Sequence, residues 1–348
     1  MAPGDGGTAD AAQLGPADAS SPSDGAPSTT DGGAGLPGGW LYTRGNAIYV
    51  ADGQGGGTQW MGRGVNLDDL FLCGFNNTLA MSDAETTLET IAGSLISDWK
   101  PNFVRVSLGM DSYPSVVSWS ATPGAYQKSM TNVIDAIGAH PGVYVLLSLR
   151  SDASMVDEDT VDGDPEATGV PSSATDATYV AMVDSFAHSP FVLFGLSNEP
   201  GGNKVSNSAL AAAMDHAVGV IRKEEDQLGV PHHLVSVQGN GWTSDIGFYA
   251  TTPLAYDNVV YEIHGYPPLA SSYTYPNLPV ILGEYGSLAD SAAFYADVEA
   301  KQIPNLAWDF EPYSDCTPDL LTITHDAASL VPTAWGQTVK SYLLAHHP

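Results

Sequence analysis

Two glutamates stand out because each directly follows a run of apolar residues. Glu199 closes Phe191-Val192-Leu193-Phe194-Gly195-Leu196-Ser197-Asn198-Glu199-Pro200, and Glu284 lies in Pro279-Val280-Ile281-Leu282-Gly283-Glu284-Tyr285-Gly286. A carboxylic acid and a carboxylate flanking a glycosidic bond are what its hydrolysis requires. Other apolar runs end in polar or aromatic groups too: Asn66, Arg105, Arg150, Gln238 to Trp242, His264-Gly265-Tyr266 and Trp308. Two carboxylates about 5.5 Å apart at an effective dielectric near 20 repel by roughly 3 kcal/mol. One of such a pair is expected to hold its proton near neutral pH.

These residues lie far apart in the chain, so a fold must bring strand ends together. Eight short apolar strands are predicted, at 61–66, 103–108, 143–149, 191–196, 234–238, 259–263, 280–282 and 306–308. Helix-like segments separate most of them. Ser82-Asp83-Ala84-Glu85 reads as a capping box opening a helix that carries Leu88, Ile91, Leu95 and Trp99 at helical spacing. Further helices are predicted at 126–140, about 174–188, 208–228, 289–302 and 333–345. Buried strands alternating with helices form a parallel sheet, and eight such units predict an α/β fold, a (β/α)8 TIM barrel. The alternative, an open doubly wound sheet, would want a Gly-rich phosphate loop after its first strand, and Gly62-Arg63-Gly64-Val65-Asn66-Leu67 is not one. Active sites of barrels sit at the carboxyl ends of the strands, where these polar groups fall.

Ahead of the barrel, 40–50 and 58–65 read as short strands around the turn Asp52–Gly57, a short N-terminal β-hairpin. Residues 1–39 contain no Lys, Arg or aromatic residue and are rich in Gly, Ala, Ser, Pro and Asp. Such a segment is expected to be a disordered tether, leaving 40–348 as the catalytic domain. No basic stretch followed by an apolar one opens the chain, so it is expected to begin after a removed export signal. The protein is then secreted or tethered at the cell surface.

Eleven Lys and Arg against forty Asp and Glu give a formal net charge of −29. That surface repels phosphate backbones and anionic lipid, so neither nucleic acid nor a membrane is an expected partner. No apolar run reaches the roughly 18 residues of a membrane span. A neutral substrate and a monomer are expected. The histidines show no ligand spacing, and the acidic loop 157–164 fails the EF-hand pattern because position 161 is Val. No metal and no cofactor are expected. Asn76-Asn77-Thr78 is a glycosylation sequon. Cys73 falls after the first strand and Cys316 after the eighth. Barrel closure makes those strands neighbours, so the two cysteines are expected to form one disulfide.

With the order of its strand-end residues, the chain resembles the cellulase-type family 5 glycoside hydrolases, retaining β-glycanases on a (β/α)8 barrel. The matching segments are Arg63-Gly64-Val65-Asn66, Val104-Arg105, Ser197-Asn198-Glu199-Pro200, Val260-Tyr261-Glu262-Ile263-His264-Gly265-Tyr266, Leu282-Gly283-Glu284-Tyr285-Gly286 and Trp308. The resemblance implies Glu199 as acid/base and Glu284 as nucleophile, with Asn198 bonding the sugar 2-hydroxyl. It implies that Arg105 and Tyr266 hold Glu284 ionised and oriented and that His264 sits beside the acid/base. Trp308 would form a sugar platform, with Trp242 a further one and Asn66 among the substrate-binding residues. One departure falls on the third strand, where the family pattern carries an acidic residue and a histidine and this chain has Ser148 and Arg150. Arg150 is expected to be anchored by Asp152 or a carboxylate of 157–166 and to offer its remaining donors to sugar hydroxyls. The implied activity is double-displacement cleavage of β-1,4-linked polysaccharide, best read as an endo-β-1,4-glucanase. Mannan, xyloglucan, mixed-linkage glucan or β-glucosidase specificity, a transglycosylase and a non-catalytic glycan-binding barrel are the alternatives.

Overall fold

Inward and outward side chains must alternate along a barrel strand, and the computed structural model shows which residues take each side. It describes residues 35–68, 81–108, 119, 125–150, 169–201, 205–286, 288–310, 320–321 and 330–347. The tether up to residue 34, Cys73, Cys316, the sequon 76–78, Asp152 and the acidic loop 157–166 lie outside the described residues.

The N-terminal element holds the expected hairpin, β2 (Ala47–Ala51) paired with β3 (Gly57–Gln59), and adds β1 (Leu41–Arg44) to make a three-stranded antiparallel sheet. The run 40–50 folds back on itself at Gly45-Asn46, and Gly45 takes φ +64, a left-handed conformation that glycine adopts without a Cβ clash. The run 58–65 also divides, into β3 and the first barrel strand. That strand is β4 (Arg63–Asp68), followed by β5 (Phe103–Leu108), β6 (Tyr144–Leu149), β7 (Val192–Gly195) and β8 (Val235–Gln238). The barrel is completed by β9 (Val259–Gly265), β10 (Val280–Tyr285) and β11 (Asn305–Ala307). All eight run parallel, and β11 pairs with β4 through Asn305 and Arg63, closing the barrel. Closure rules out the open doubly wound sheet.

The long helices are α1 (Met81–Trp99), α2 (Ala125–Gly138), α3 (Asp176–Phe186), α4 (Asn207–Leu228), α5 (Ser291–Lys301) and α6 (Ala334–Ala345). Helix α1 already includes Met81, so Ser82 lies in its first turn and is not the cap that was expected. Helix α4 is capped by Ser206, whose side chain accepts from Ala209 N, and stops at Gly229 in a left-handed conformation.

Two apolar cores follow from the alternation. Outward residues such as Val104, Val106, Leu147 and Leu282 pack under the helices against Leu95, Ile134, Val183 and Ile221. Inward residues Phe103, Tyr144, Leu146, Leu193, Val260, Ile281 and Leu306 fill the amino end of the barrel with Leu41, Ile48 and Trp60. Trp60 meets Phe103 and Tyr144 edge-on, at ring distances of 5.0 and 5.4 Å. Each such side chain buried contributes roughly 1.5–3 kcal/mol. The small sheet therefore plugs the barrel floor. Towards the carboxyl ends the buried residues turn polar, with Asn66, Arg105, Ser148, Ser236, Gln238, Glu262 and His264 all enclosed. A polar layer above an apolar plug is where a site can stand.

Candidate active site

Strand β5 carries Arg105 into this polar layer, where no part of its side chain reaches solvent. A buried guanidinium must spend its five donors on acceptors. Nη1 donates to Glu284 Oε1 at 2.6 Å and to Asn66 Oδ1 at 2.8 Å. Nη2 donates to Asn198 Oδ1 at 2.7 Å and Ser148 Oγ at 3.0 Å, and Nε lies 3.2 Å from Glu262 Oε1. One residue thereby ties together β4, β6, β9, β10 and the segment after β7.

Glu284 points into the barrel because β10 is irregular. Its register against β9 shifts between Leu282 and Glu284. Simple alternation from Ile281, which faces inward, would turn Glu284 outward. The bulge re-aims it onto Arg105, as bulges beside active sites do. A Cβ on Gly283 would come within 2.1 Å of Glu262 Oε1, so only glycine fits at the bend. The second Glu284 oxygen accepts from the Tyr266 hydroxyl at 2.9 Å. Burial of that hydroxyl and the Glu284 charge beside it raise the Tyr266 phenol well above its ordinary range.

Glu199 follows β7 with φ +45, a left-handed conformation that costs a non-glycine residue roughly 1–2 kcal/mol. Its N–H donates to Gln238 Oε1 at 2.6 Å, and one carboxylate oxygen lies 2.8 Å from His264 Nδ1. The other His264 nitrogen is 3.0 Å from Glu262 Oε1. Burial alone would push His264 down, but the charges and hydrogen bonds of Glu284, Glu199 and Glu262 outweigh it and raise the imidazole to about 9. Burial likewise opposes ionisation of Glu262, yet Arg105 and His264 hold its carboxyl down at about 2. These neighbours favour the protonated form of His264, which bridges Glu262 and Glu199.

Oxygens of Glu199 and Glu284 and a nitrogen of His264 all lie within 4.8 Å of one another. This trio has the spacing to hold a cation. A histidine ligand must be neutral, however, and the carboxylates around His264 favour its protonated form. The trio fits a proton between carboxylates better than a metal ion.

A cleft of about 540 Å3 opens over these groups, lined by Asn198, Glu199, Tyr266 and Glu284 together with Arg150, Trp242 and Trp308. Asn198 turns its Oδ1 to Arg105, which leaves the amide Nδ2 as its donor. The Arg150 guanidinium carbon lies 5.4 Å from the centre of the Trp308 ring, and the Trp308 N–H donates to Tyr285 O. The carboxylates expected to anchor Arg150 lie outside the described residues. Asn66 differs from expectation. It is fully buried, and its Nδ2 donates to the Gly283 and Ala307 carbonyls while its Oδ1 faces Arg105, so it braces the site and offers nothing to a substrate.

Sequence reasoning assigned no role in the site to Glu262, Gln238 or Ser148. Glu262 had a readable signal, being two residues before His264 in an apolar strand and hence on the same face. Gln238 stood among the strand-end residues and Ser148 in the third-strand motif, but nothing in the sequence told what either would bond.

A closed (β/α)8 barrel with two carboxylates meeting at its carboxyl mouth has the build of a glycoside hydrolase. The family model for cellulase, glycosyl hydrolase family 5, matches residues 63–314. The chain belongs to glycosyl hydrolase family 5 and is a glycoside hydrolase. No curated protein matches it in sequence. Among solved structures, the fold is similar to the endoglucanase Cel5A catalytic domain of Thermobifida fusca, at 19% identity and TM-score 0.63 over 88% of this chain and 97% of that one. A β-glucanase from Saccharophagus degradans in complex with cellotetraose is similar at 15% identity and TM-score 0.65 over 89% and 94%. A β-mannanase from Streptomyces thermolilacinus with mannohexaose is similar at 20% identity and TM-score 0.61 over 90% and 94%.

Proposed function

We propose that this protein is a retaining endo-β-1,4-glucanase with Glu199 as acid/base and Glu284 as nucleophile. The observation that carries the reading is the approach of the two carboxylates, whose oxygens come within 4.8 Å. Retaining enzymes hold their carboxyls about 5–5.5 Å apart, whereas inverting ones need about 6.5–9.5 Å to admit a water.

In the first step Glu199 gives its proton to the departing glycosidic oxygen while a Glu284 oxygen bonds to the anomeric carbon. In the second, Glu199 takes a proton from water as the water oxygen displaces Glu284, restoring both groups. Arg105 and Tyr266 aim Glu284, and His264 orients Glu199. The Asn198 amide is positioned as the donor to the sugar 2-hydroxyl. Trp242, Trp308 and Arg150 supply ring faces and donors along the cleft. The protein acts as a monomer outside the cell or at its surface, a reading supported by its net charge of −29 and by a polymeric substrate that cannot cross a membrane.

A second reading, β-mannan as substrate, draws support from the likeness to a β-mannanase. Both are tested by incubation with cello-, manno-, xyloglucan and mixed-linkage oligosaccharides, following the first-formed anomer by NMR. The proposal expects internal cleavage of cello-oligosaccharides with the β-anomer appearing first. An α-anomer would contradict retention, faster cleavage of manno-oligosaccharides would move the substrate assignment to mannan, and binding without cleavage would mark a glycan-binding barrel.

A further inference from the structure

Gln238 ends β8 inside the barrel with no exposed surface, at a place where a buried amide must find partners. Its Oε1 accepts twice, from the Glu199 N–H at 2.6 Å and from the Thr243 hydroxyl at 3.0 Å. The amide orientation is fixed by these donors, because a flipped Nε2 would face an N–H that cannot accept. Nε2 itself has no hydrogen-bond partner among the described residues.

The two donors sit on strained segments. Glu199 has φ +45, and Gly241, Trp242 and Thr243 have φ of +59, +57 and +57. Left-handed non-glycine residues persist only where surrounding structure holds them. The loop is pinned at its base by mutual backbone hydrogen bonds of Asn240 and Asp245, at 2.9 and 3.1 Å. The Tyr249 hydroxyl fixes the Gln238 carbonyl at 3.2 Å. Between the pinned base and the cleft stands Trp242, adjacent to the residue that donates to Gln238.

We propose that Gln238 is the positioning residue of Glu199 and that, with Thr243, it ties the Trp242 wall of the cleft to the acid/base carboxyl. The inference rests on Glu199 being the acid/base. A sugar pressed on Trp242 loads the same amide oxygen that sets the Glu199 backbone, so occupancy of that wall and proton delivery are linked.

Leaving-group dependence separates this role from a merely structural one, since only poor leaving groups need a well-placed proton donor. The test compares dinitrophenyl and unsubstituted phenyl β-glycosides of the sugar the enzyme cleaves best. The proteins are wild type, Glu199→Ala, Gln238→Met, Thr243→Val and Thr243→Ser. Measured as kcat/KM, which reports the first step alone, Glu199→Ala should lose activity on the phenyl substrate and keep it on the dinitrophenyl one. Gln238→Met should follow the same pattern, with kcat/KM on the phenyl glycoside falling at least tenfold more than on the dinitrophenyl glycoside. Thr243→Val should show a smaller loss of the same kind, and Thr243→Ser should recover most of it. If Glu199→Ala discriminates and Gln238→Met and Thr243→Val do not, the positioning role is wrong while the acid/base assignment stands. If Glu199→Ala does not discriminate, both fall. Should Gln238→Met fail to fold, Thr243→Val decides alone, and wild-type leaving-group dependence in it would overturn the link.

Discussion

At the scale of single residues, the site is a problem in burying charge. Arg105, Glu262, His264 and Glu284 stand together almost without solvent, and each is paired. Removing one partner from such a set costs about 3–5 kcal/mol, because the others stay buried without compensation. His264 gives this a pH signature. Its folded value near 9 lies above the ordinary 6.5, so the stability it contributes is fully present below about pH 6.5 and is lost as pH rises through 9. The displacement corresponds to about 3 kcal/mol. Unfolding midpoints measured from pH 6 to 9.5 should therefore show wild type losing its advantage over His264→Gln as pH rises. A constant gap between the two would mean that His264 is not charged in the folded protein. Glu199, Glu284, Arg105, His264 and Tyr266 were legible as site residues because each is polar or aromatic at the end of an apolar run. Asn66 was legible as a strand-end residue but not as a brace, since a sequence does not reveal that its amide is fully occupied by Arg105 and two carbonyls.

At the scale of elements, the eight strands could be read closely, since each is a short apolar run between helix or turn signals. What could not be read is register. The bulge at Gly283 turns Glu284 inward, and nothing in Leu282-Gly283-Glu284 announces a shift that depends on pairing with β9. The fold-back at Gly45-Asn46 did have a signal, since the polar Thr43-Arg44-Gly45-Asn46 divides the apolar run with a two-residue turn. Gly283 makes the bulge testable. Gly283→Ala places a methyl 2.1 Å from Glu262 Oε1, and overpacking of that kind costs typically 1–3 kcal/mol. Activity should fall together with the thermal midpoint. Gly93→Ala, in α1 with nothing within 4 Å of its added methyl, should raise the midpoint slightly. Equal effects of the two substitutions would show that the bend does not depend on glycine.

At the scale of the molecule, barrel closure makes an active centre from residues far apart in the chain, Arg105 and Glu284 by 179 positions and Asn66 and Ala307 by 241. The floor is sealed by Trp60 and the small sheet, the middle is charged and buried, and the mouth is open and aromatic. That gradient along one axis was visible in the sequence as apolar strands with polar ends. The shape of the cleft was not, because it depends on loops whose course no periodicity encodes, and substrate choice lies there. The central claim is that Glu284 becomes covalently bonded to sugar during turnover, with Glu199 delivering the proton. A 2-deoxy-2-fluoro glycoside with a good leaving group slows release of such an intermediate, so the intact protein should gain the mass of one fluorosugar. Peptide mapping should place that mass on Glu284, whereas a label on another residue, or none under conditions where the substrate is consumed, would contradict the account.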